Sequence, residues 1–286
     1  MDNTSATIAG TLYVVATPIG NLQDISSRAV TILKSVDAIL AEDTRHSQQL
    51  LNALGINKQL TSLHAHNEAD KSQLIIEKLQ KGQSFALISD AGTPLISDPG
   101  FILIRTARLM GITIVPIPGA CAFVAALSVA GIPCDSFLFA GFLPAKQQAR
   151  IKKLELLRQN EHTVILYEST HRLLDCIDDI IDVFGSNYCF FLAKEITKSF
   201  EHFLHASALE IKNWLFAESA RIKGEFVIIL PAQAEPEQQS NDEQLLRVLL
   251  TELPVKQAVK LACSLSSTSK NDLYKLALQL QTPDQS

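Results

Sequence analysis

The chain has 286 residues, a formal net charge of −5 at pH 7, and a composition that is 47% hydrophobic but only 6% aromatic. This length predicts two domains and a core that needs no disulfide or metal to be stable. The acidic balance argues against non-specific coating of nucleic acid, although it leaves room for a local basic patch.

The cysteines and the apolar segments predict a soluble, cytoplasmic protein. The five cysteines form no CxxC pair, which is typical of reduced thiols. The first ten residues show no basic segment followed by an apolar run, so we expect no signal peptide. The longest apolar stretch, residues 121–132, is interrupted by Ser128 and Gly131 and is too short to cross a bilayer.

Short apolar runs alternate with helical patterns through the first part of the chain. Strands are predicted at residues 11–16, 38–41, 85–88 and 112–115, and helices at 26–35, 72–81, 101–110 and 120–130. Because these strands are continuously apolar, they indicate a mainly parallel sheet that is covered on both faces. We expect residues 1–118 to form one α/β domain.

The second part of the chain predicts another α/β domain over residues 119–232. Its strands are predicted at residues 137–140, 163–167, 189–193 and 226–230, with helices at 146–159 and up to about 184. Residues 233–241 have the composition of a linker, and helices follow from about 242 to 280. The prediction is therefore two α/β domains with a ligand cleft between them and a small helical extension, residues 233–286.

The segment SDAGTPLISDPG, residues 89–100, is the most informative loop of the chain. It follows a buried strand and contains two Asp, two Ser, two Gly and two Pro residues. Gly and Pro fix an irregular backbone, and such loops at the carboxyl ends of α/β strands bind ligands. A cluster of ordinary turns and caps is the alternative, but the paired carboxylates favour a ligand site.

Several familiar motifs are missing. The sequence has no G-x-G-x-x-G after its first strand, no G-x-x-x-x-G-K-[ST] and no G-x-S-x-G. The histidine pairs 64/66 and 202/205 lack the partners of a zinc site, so we expect no metal. These absences argue against a Rossmann dinucleotide site, a P-loop and a hydrolase triad.

Polar loops follow most of the predicted strands, and parallel strands bring such loops to one edge of a sheet. Together they predict a polar site with several carboxylates. The loops are residues 17–24, 42–45, 89–100, 118–122, 167–172, 194–201 and 223–225.

These loops carry the strings ATPIGNLQD, AEDTR, SDAGTPLISDPG, PIPGACA, GFLPAK, YESTHR, KEITK and KGEFVIIL. With them, residues 10–230 resemble the tetrapyrrole-methylase family of S-adenosylmethionine methyltransferases. The resemblance is closest to its bacterial ribosomal RNA small subunit methyltransferase I branch. Two residues depart from the family pattern: Ala120 stands where Pro is frequent, and Thr170 stands where YESPHR is usual.

The resemblance implies a non-Rossmann fold that binds S-adenosylmethionine between two α/β domains. It also implies a homodimer that methylates the ribose 2′-hydroxyl of a cytidine in the decoding region of 16S rRNA, within the small ribosomal subunit. Methyl transfer from a sulfonium needs alignment and removal of a proton rather than a metal. Two alternatives stay open: a methylase of tetrapyrrole carbon atoms, and a non-catalytic ribosome-assembly factor.

The resemblance also assigns candidate residues. Cofactor contacts are expected from Pro18, Ala91, Gly92, Thr93, Ile96, Cys121, Ala122, Tyr167, Glu168 and Gly224. The polar loops offer Glu195 and Lys194, then Asp98, Asp43 and Arg45, as groups that accept the proton or stabilise charge. Phosphate contacts are expected from Arg45, Lys146, Arg150, Lys152, Lys153, Arg172 and Lys198.

Overall fold

The computed structural model describes residues 9–233, 238–266 and 268–281. The chain divides into two compact units. The larger lies within Met1–Leu154 and Thr163–Pro231, and the smaller lies within Glu155–His162 and Ala232–Ser286.

A parallel sheet organises the N-terminal part of the larger unit. Its strands are β1 (Thr11–Val15), β2 (Ala38–Ala41), β3 (Gln59–Ser62), β4 (Phe85–Ile88) and β5 (Thr113–Ile117). They are ordered β3-β2-β4-β1-β5, and every neighbouring pair is parallel. The intervening helices are α1 (Ser27–Ser35), α2 (Thr44–Ala53), α3 (Glu68–Gln80) and α4 (Phe101–Leu109).

Both faces of this parallel sheet are buried. Leu40 and Leu87 pack with Leu103 of α4 on one face, while Ile39 and Ile88 contribute to the cluster on the other. Full burial of such an aliphatic side chain contributes about 1.5–3 kcal/mol. This two-sided burial explains the continuous apolar runs and confirms the predicted parallel sheet.

A mixed sheet organises the second part of the same unit. It contains β6 (Phe137–Phe142), β7 (Thr163–Ser169), β8 (Cys189–Lys194), β9 (His202–Ser207) and β10 (Glu225–Leu230), in the order β6-β7-β10-β8-β9. β10 runs antiparallel to β7 and β8, so it starts at the edge where those two strands end. The helices are α5 (Ala122–Val129), α6 (Gln147–Arg158), α7 (Leu173–Phe184) and α8 (Ala208–Ala217).

Besides residues 155–158 at the end of α6, the described part of the smaller unit contains three helices, α9 (Gln238–Glu252), α10 (Val255–Leu265) and α11 (Lys270–Gln281). Their apolar residues form a cluster of their own around Leu246, Val259 and Leu273. The helical extension is confirmed, but the predicted linker is wrong over residues 238–241, which belong to α9. Residues 234–237 of that linker lie outside the described residues.

Four elements were not predicted from the sequence: α2, β3, β9 and α8. No residue of β3 or β9 is fully buried, so the hydrophobic pattern of these strands is weak. α2 is polar, and its start is set by Asp43, whose carboxylate accepts the backbone N–H of Arg45 at 2.8 Å. The exact domain boundaries at 118 and 232 stay predictions.

Candidate functional site

A cavity of about 380 Å³ lies where the loops of the parallel sheet face the polar edge of the mixed sheet. This volume falls in the usual range of small-molecule sites, about 300–1,000 Å³. The lining residues are Ile19, Glu42, Asp90, Ala91, Gly92, Thr93, Ile96, Ser97, Asp98, Cys121, Ala122, Phe142, Tyr167, Glu168, Ser169, Ile196, Lys198, Glu225, Phe226 and Val227.

Most of the predicted cofactor contacts meet at this cavity. Every one of them lines it except Pro18 and Gly224. Of the predicted catalytic residues, Asp98 lines the cavity, whereas Lys194 and Glu195 do not. Lys198, predicted to contact RNA, lies in the cavity wall.

The loop after β4 is held against the loop after β1. Thr17 and Gly92 exchange two backbone hydrogen bonds, of 2.9 and 3.1 Å, across the two adjacent strand ends. The hydroxyl of Thr93 then donates to the carbonyl of Ala120 at 3.0 Å. This crevice lies at the point where the strand order changes direction, which is where open α/β sheets bind ligands.

The backbone of the same loop is strained. Leu95 and Ser97 have φ angles of 72° and 74°, which side chains rarely adopt. Gly92 has φ of 82°, and a Cβ atom there would lie 3.2 Å from the side chain of Ile19. Such strain is typical of functional loops, whose shape is fixed by the surrounding structure.

Three carboxylates in the cavity lack a cationic partner among the described residues. They belong to Glu42, Asp90 and Asp98. Burial, then the charges of Glu42 and Asp90, raise the pKa of Asp98 to about 6, although a hydrogen bond from Ser89 opposes the shift. Burial and the charge of Asp90 likewise raise the pKa of Glu42, although the charge of His64 opposes the shift. The cavity therefore has a negative potential that the protein itself only partly neutralises.

Lys198 lies in the cavity wall, but it does not neutralise this potential, because its ammonium is already paired with two other carboxylates. The ammonium of Lys198 lies 2.8 Å from the carboxylate of Glu195 and 2.9 Å from that of Glu225.

Glu195 is placed as a structural clamp rather than as a base. Its Oε1 atom accepts the ammonium of Lys198 and the backbone N–H of Glu225, the latter at 2.9 Å. Burial raises the pKa of Glu195, but these hydrogen bonds and the Lys198 charge outweigh it and leave the pKa below its usual value. A carboxylate stabilised in this way is a weak proton acceptor, so Asp98 is the better candidate.

Two other predicted catalytic residues are either buried or engaged in hydrogen bonds to the backbone. Lys194 is the last residue of β8 and is only 5% exposed. The carboxylate of Asp43 caps α2, and the backbone N–H of Arg45 is the main reason that the pKa of Asp43 is lowered.

Tyr167 and Glu168 brace the cavity wall. The Tyr167 hydroxyl accepts the backbone N–H of Phe123 at 3.2 Å and so fixes the start of α5. Glu168 is 2% exposed and lies 3.3 Å from Arg172, whose guanidinium also donates to the carbonyls of Leu143 and Pro144. Arg172, predicted to contact RNA, therefore holds the loop after β6 against the end of β7.

The predicted RNA contacts fall into two groups. Arg45, Lys146, Lys152 and Lys153 are exposed, with the Arg45 side chain 92% accessible. Arg150 is only 3% exposed and forms a buried ion pair with Asp179. The prediction that Arg150 contacts RNA is corrected, because a buried and paired guanidinium is not accessible to a phosphate.

Some lining residues were not singled out from the sequence. Asp90 lay inside the emphasised loop, and Glu42, Phe142, Ile196 and Glu225 lie inside the motif strings, yet their side chains were not assigned roles. The signal that finds most of them is their position at the carboxyl end of a strand, whereas Glu225 lies at the amino end of the antiparallel strand β10.

Within residues 9–233, 238–266 and 268–281, no three His, Cys, Asp or Glu side chains are grouped to hold a metal ion. None of the helices in this part of the chain combines the length and apolar character that crossing a membrane requires.

Two family models match the chain. One, described as Tetrapyrrole (Corrin/Porphyrin) Methylases, covers residues 11–212 and thus includes the cavity loops up to Lys198. The other, described as the RsmI C-terminal HTH domain, covers residues 236–281. The first match defines the class of protein to which this fold and cleft belong.

Comparison with similar proteins identifies the group within this family to which the chain belongs. The chain is 49% identical over 275 residues to Ribosomal RNA small subunit methyltransferase I of Pasteurella multocida, covering 95% of this chain and 98% of that protein. It is 48% identical over 274 residues to the protein of that name in Escherichia coli O157:H7, covering 95% and 96%. The chain therefore belongs to the tetrapyrrole methylase family, in the group of the ribosomal RNA small subunit methyltransferase I proteins.

Solved structures confirm the fold. Uroporphyrin-III-C-methyltransferase from Thermus thermophilus superposes with a TM-score of 0.55 at 18% identity, covering 77% of this chain and 94% of that chain. A diphthine synthase superposes with a TM-score of 0.60 at 14% identity, covering 78% and 90%.

The buried ion pair between Arg150 and Asp179 predicts how a substitution changes stability. The Arg150→Ala variant leaves the buried carboxylate of Asp179 without its cation, so the free energy of unfolding should fall by about 3–5 kcal/mol. Urea denaturation measures this, with Lys153→Ala on the exposed face of α6 as the control. A loss of less than about 1 kcal/mol in Arg150→Ala would contradict the assignment.

Proposed function

We propose that the protein transfers a methyl group from S-adenosylmethionine to the ribose 2′-hydroxyl of a cytidine in the decoding region of 16S rRNA. The names of its relatives support rRNA of the small subunit as the substrate. The resemblance of its loop strings supports the 2′-oxygen of a cytidine. The observation that carries the choice of methyl donor is the set of unpaired carboxylates in the cavity.

The residues of the cavity fit a cationic donor. Glu42, Asp90 and Asp98 offer negative charge without a protein cation, and a positively charged ligand would relieve their mutual repulsion. Ile19 and Phe226 add apolar surface for a flat ring. S-adenosylmethionine supplies a methyl group already activated on a positively charged sulfur.

Asp98 is proposed to accept the proton of the ribose hydroxyl. It lines the cavity, and its pKa of about 6 keeps it ionised at neutral pH while leaving it more basic than an ordinary aspartate. Burial sustains that basicity first, and repulsion from Glu42 and Asp90 adds to it. The strained loop around Asp98 contributes by holding the carboxylate in place, since alignment can supply up to about 7–11 kcal/mol in favourable cases.

The RNA backbone is proposed to stay outside the cavity. Phosphates would be repelled by the carboxylates within it, so only the target nucleoside enters. Arg45 follows β2, Lys146 follows β6, and Lys152 and Lys153 lie on α6, all of them exposed. These side chains are suited to phosphates of rRNA or of the assembled small subunit.

The protein is also proposed to act as a homodimer through α5. This helix is apolar except for Ser128, yet Ala126 is its only buried residue, and Val124 and Val129 are each 52% exposed. A helix that is apolar all round is usually buried, so a second copy is the occupant we propose for its outer face. α5 begins beside Cys121 and Ala122, so the contact would also brace the cavity.

The role of Asp98 predicts the pH dependence of the reaction. Because the carboxylate must be ionised to accept a proton, kcat/KM should rise as pH increases through about 6. Asp98→Asn should lose most of this activity and this rise, yet unfold at a higher temperature at pH 8, since it removes a repelled charge. Full turnover by Asp98→Asn would rule out the base role.

The substrate assignment predicts where a labelled methyl group goes. Purified protein with methyl-labelled S-adenosylmethionine should label 16S rRNA, free or in the small subunit, at the 2′-oxygen of one cytidine, as mapped by mass spectrometry of nuclease fragments. Labelling of a tetrapyrrole precursor instead would favour the carbon methylase. Binding of the donor without transfer to either would favour the assembly factor.

The dimer proposal predicts the effect of charges on α5. The double variant Val124→Glu/Val129→Glu should halve the molar mass measured by light scattering, because the new carboxylates would be buried in the contact. Leu109→Glu on α4, where the side chain is 77% exposed, is the matched control and should keep the wild-type mass. A halved mass in Leu109→Glu, together with an unchanged mass in the double variant, would place the interface on α4 instead.

A further inference from the structure

We infer that Thr170 is a positioning residue for the donor site, and that its hydroxyl fixes the wall made by the first residues of β10. The inference rests on the proposed function only in that the ligand is S-adenosylmethionine. Thr170 does not itself line the cavity, so it acts through Gly224.

The Thr170 hydroxyl forms two hydrogen bonds with the backbone of Gly224. It donates to the carbonyl of Gly224 and accepts the N–H of Gly224, both at 2.7 Å. Both partners come from elements 54 positions apart in the chain, so this contact joins the end of β7 to the start of β10. The Gly224 N–H is thereby already used within the protein, and the predicted cofactor contact of Gly224 stays a prediction.

Gly224 needs this support because its backbone is unusual. Its φ is 118°, a conformation open to glycine but rarely to other residues. A Cβ atom there would lie 2.6 Å from the Cγ and Cδ atoms of Glu195, so any side chain would displace Glu195. A glycine is the most flexible residue, and the hydroxyl of Thr170 restrains it directly.

Gly224 directly precedes the residues of β10 that line the cavity. β10 pairs with β7 from Glu225 opposite Ser169 onward, and Phe226 lies opposite Glu168. All four of these residues line the cavity. The Thr170–Gly224 contact continues this pairing one residue beyond the last strand pair. It therefore prevents β7 and β10 from separating at the cavity mouth.

The fold should survive loss of the hydroxyl. Glu195 still accepts the N–H of Glu225 at 2.9 Å, and the β7–β10 pairing extends to Val164 and Leu230. We therefore expect a loosened donor wall rather than an unfolded protein.

The experiment compares three variants of the full chain. Thr170→Val keeps the shape but lacks the hydroxyl, and Thr170→Ser keeps the hydroxyl. Thr163→Val is the matched control, because the Thr163 hydroxyl donates to the carbonyl of Pro133 at 2.7 Å at the opposite end of the same strand. Calorimetry measures the Kd for S-adenosylmethionine, and hydrogen exchange of the ligand-free proteins measures protection of residues 224 and 225.

Thr170→Val should raise the Kd roughly five- to tenfold. Its kcat at saturating donor should stay within about twofold of wild type, and amide exchange at residues 224 and 225 should become faster. Thr170→Ser and Thr163→Val should match the wild-type protein in both measurements.

An unchanged Kd and unchanged exchange in Thr170→Val would overturn the inference, and so would an equal rise of the Kd in Thr163→Val. If the wild-type protein bound no donor, the proposed function would fail. The exchange data would then still show whether Thr170 holds Gly224.

Discussion

Repulsion among the carboxylates of Glu42, Asp90 and Asp98 is the interaction on which this account of the protein depends. Folding places these groups in one cavity without an ion-pair partner, and burial, followed by their mutual repulsion, raises the pKa values of Asp98 and Glu42. Such an arrangement destabilises the folded chain at neutral pH, because each ionised group is held near its like. A cationic ligand removes that penalty when it binds, which ties the electrostatics of the free protein to the chemistry of its donor.

The backbone of the larger unit keeps these charges together. Thr17 and Gly92 join the loops after β1 and β4 at the change of strand order, and the positive φ angles of Leu95 and Ser97 set the path that leads to Asp98. On the opposite wall, Glu195 and Thr170 hold the start of β10. Glu195 and Thr170, which hydrogen-bond to this backbone, are therefore structural, and the carboxylates without an ion-pair partner are the candidates for chemistry.

The sequence predicted the parallel sheet, the helical extension and most of the cavity, because fully buried strands leave continuous apolar runs and their polar loops share one edge. It did not predict which polar residue does what. Glu195, Asp98 and Asp43 are all acidic residues in loops at strand ends, and they differ only in their neighbours: Lys198 beside the first, carboxylates beside the second, and the start of α2 beside the third. Arg150 was predicted to contact phosphate, and only its ion pair with Asp179 of α7 shows that it is buried. Tertiary contacts of this kind leave no periodic signal along the chain.

Calorimetric titration of the wild-type protein with S-adenosylmethionine at pH 6, repeated in two buffers of different ionisation enthalpy, tests the central claim most directly. The positive donor should favour the ionised form of Asp98, so we predict binding at one site per chain with release of up to about half a proton. Proton uptake, or an absence of binding, would contradict the account.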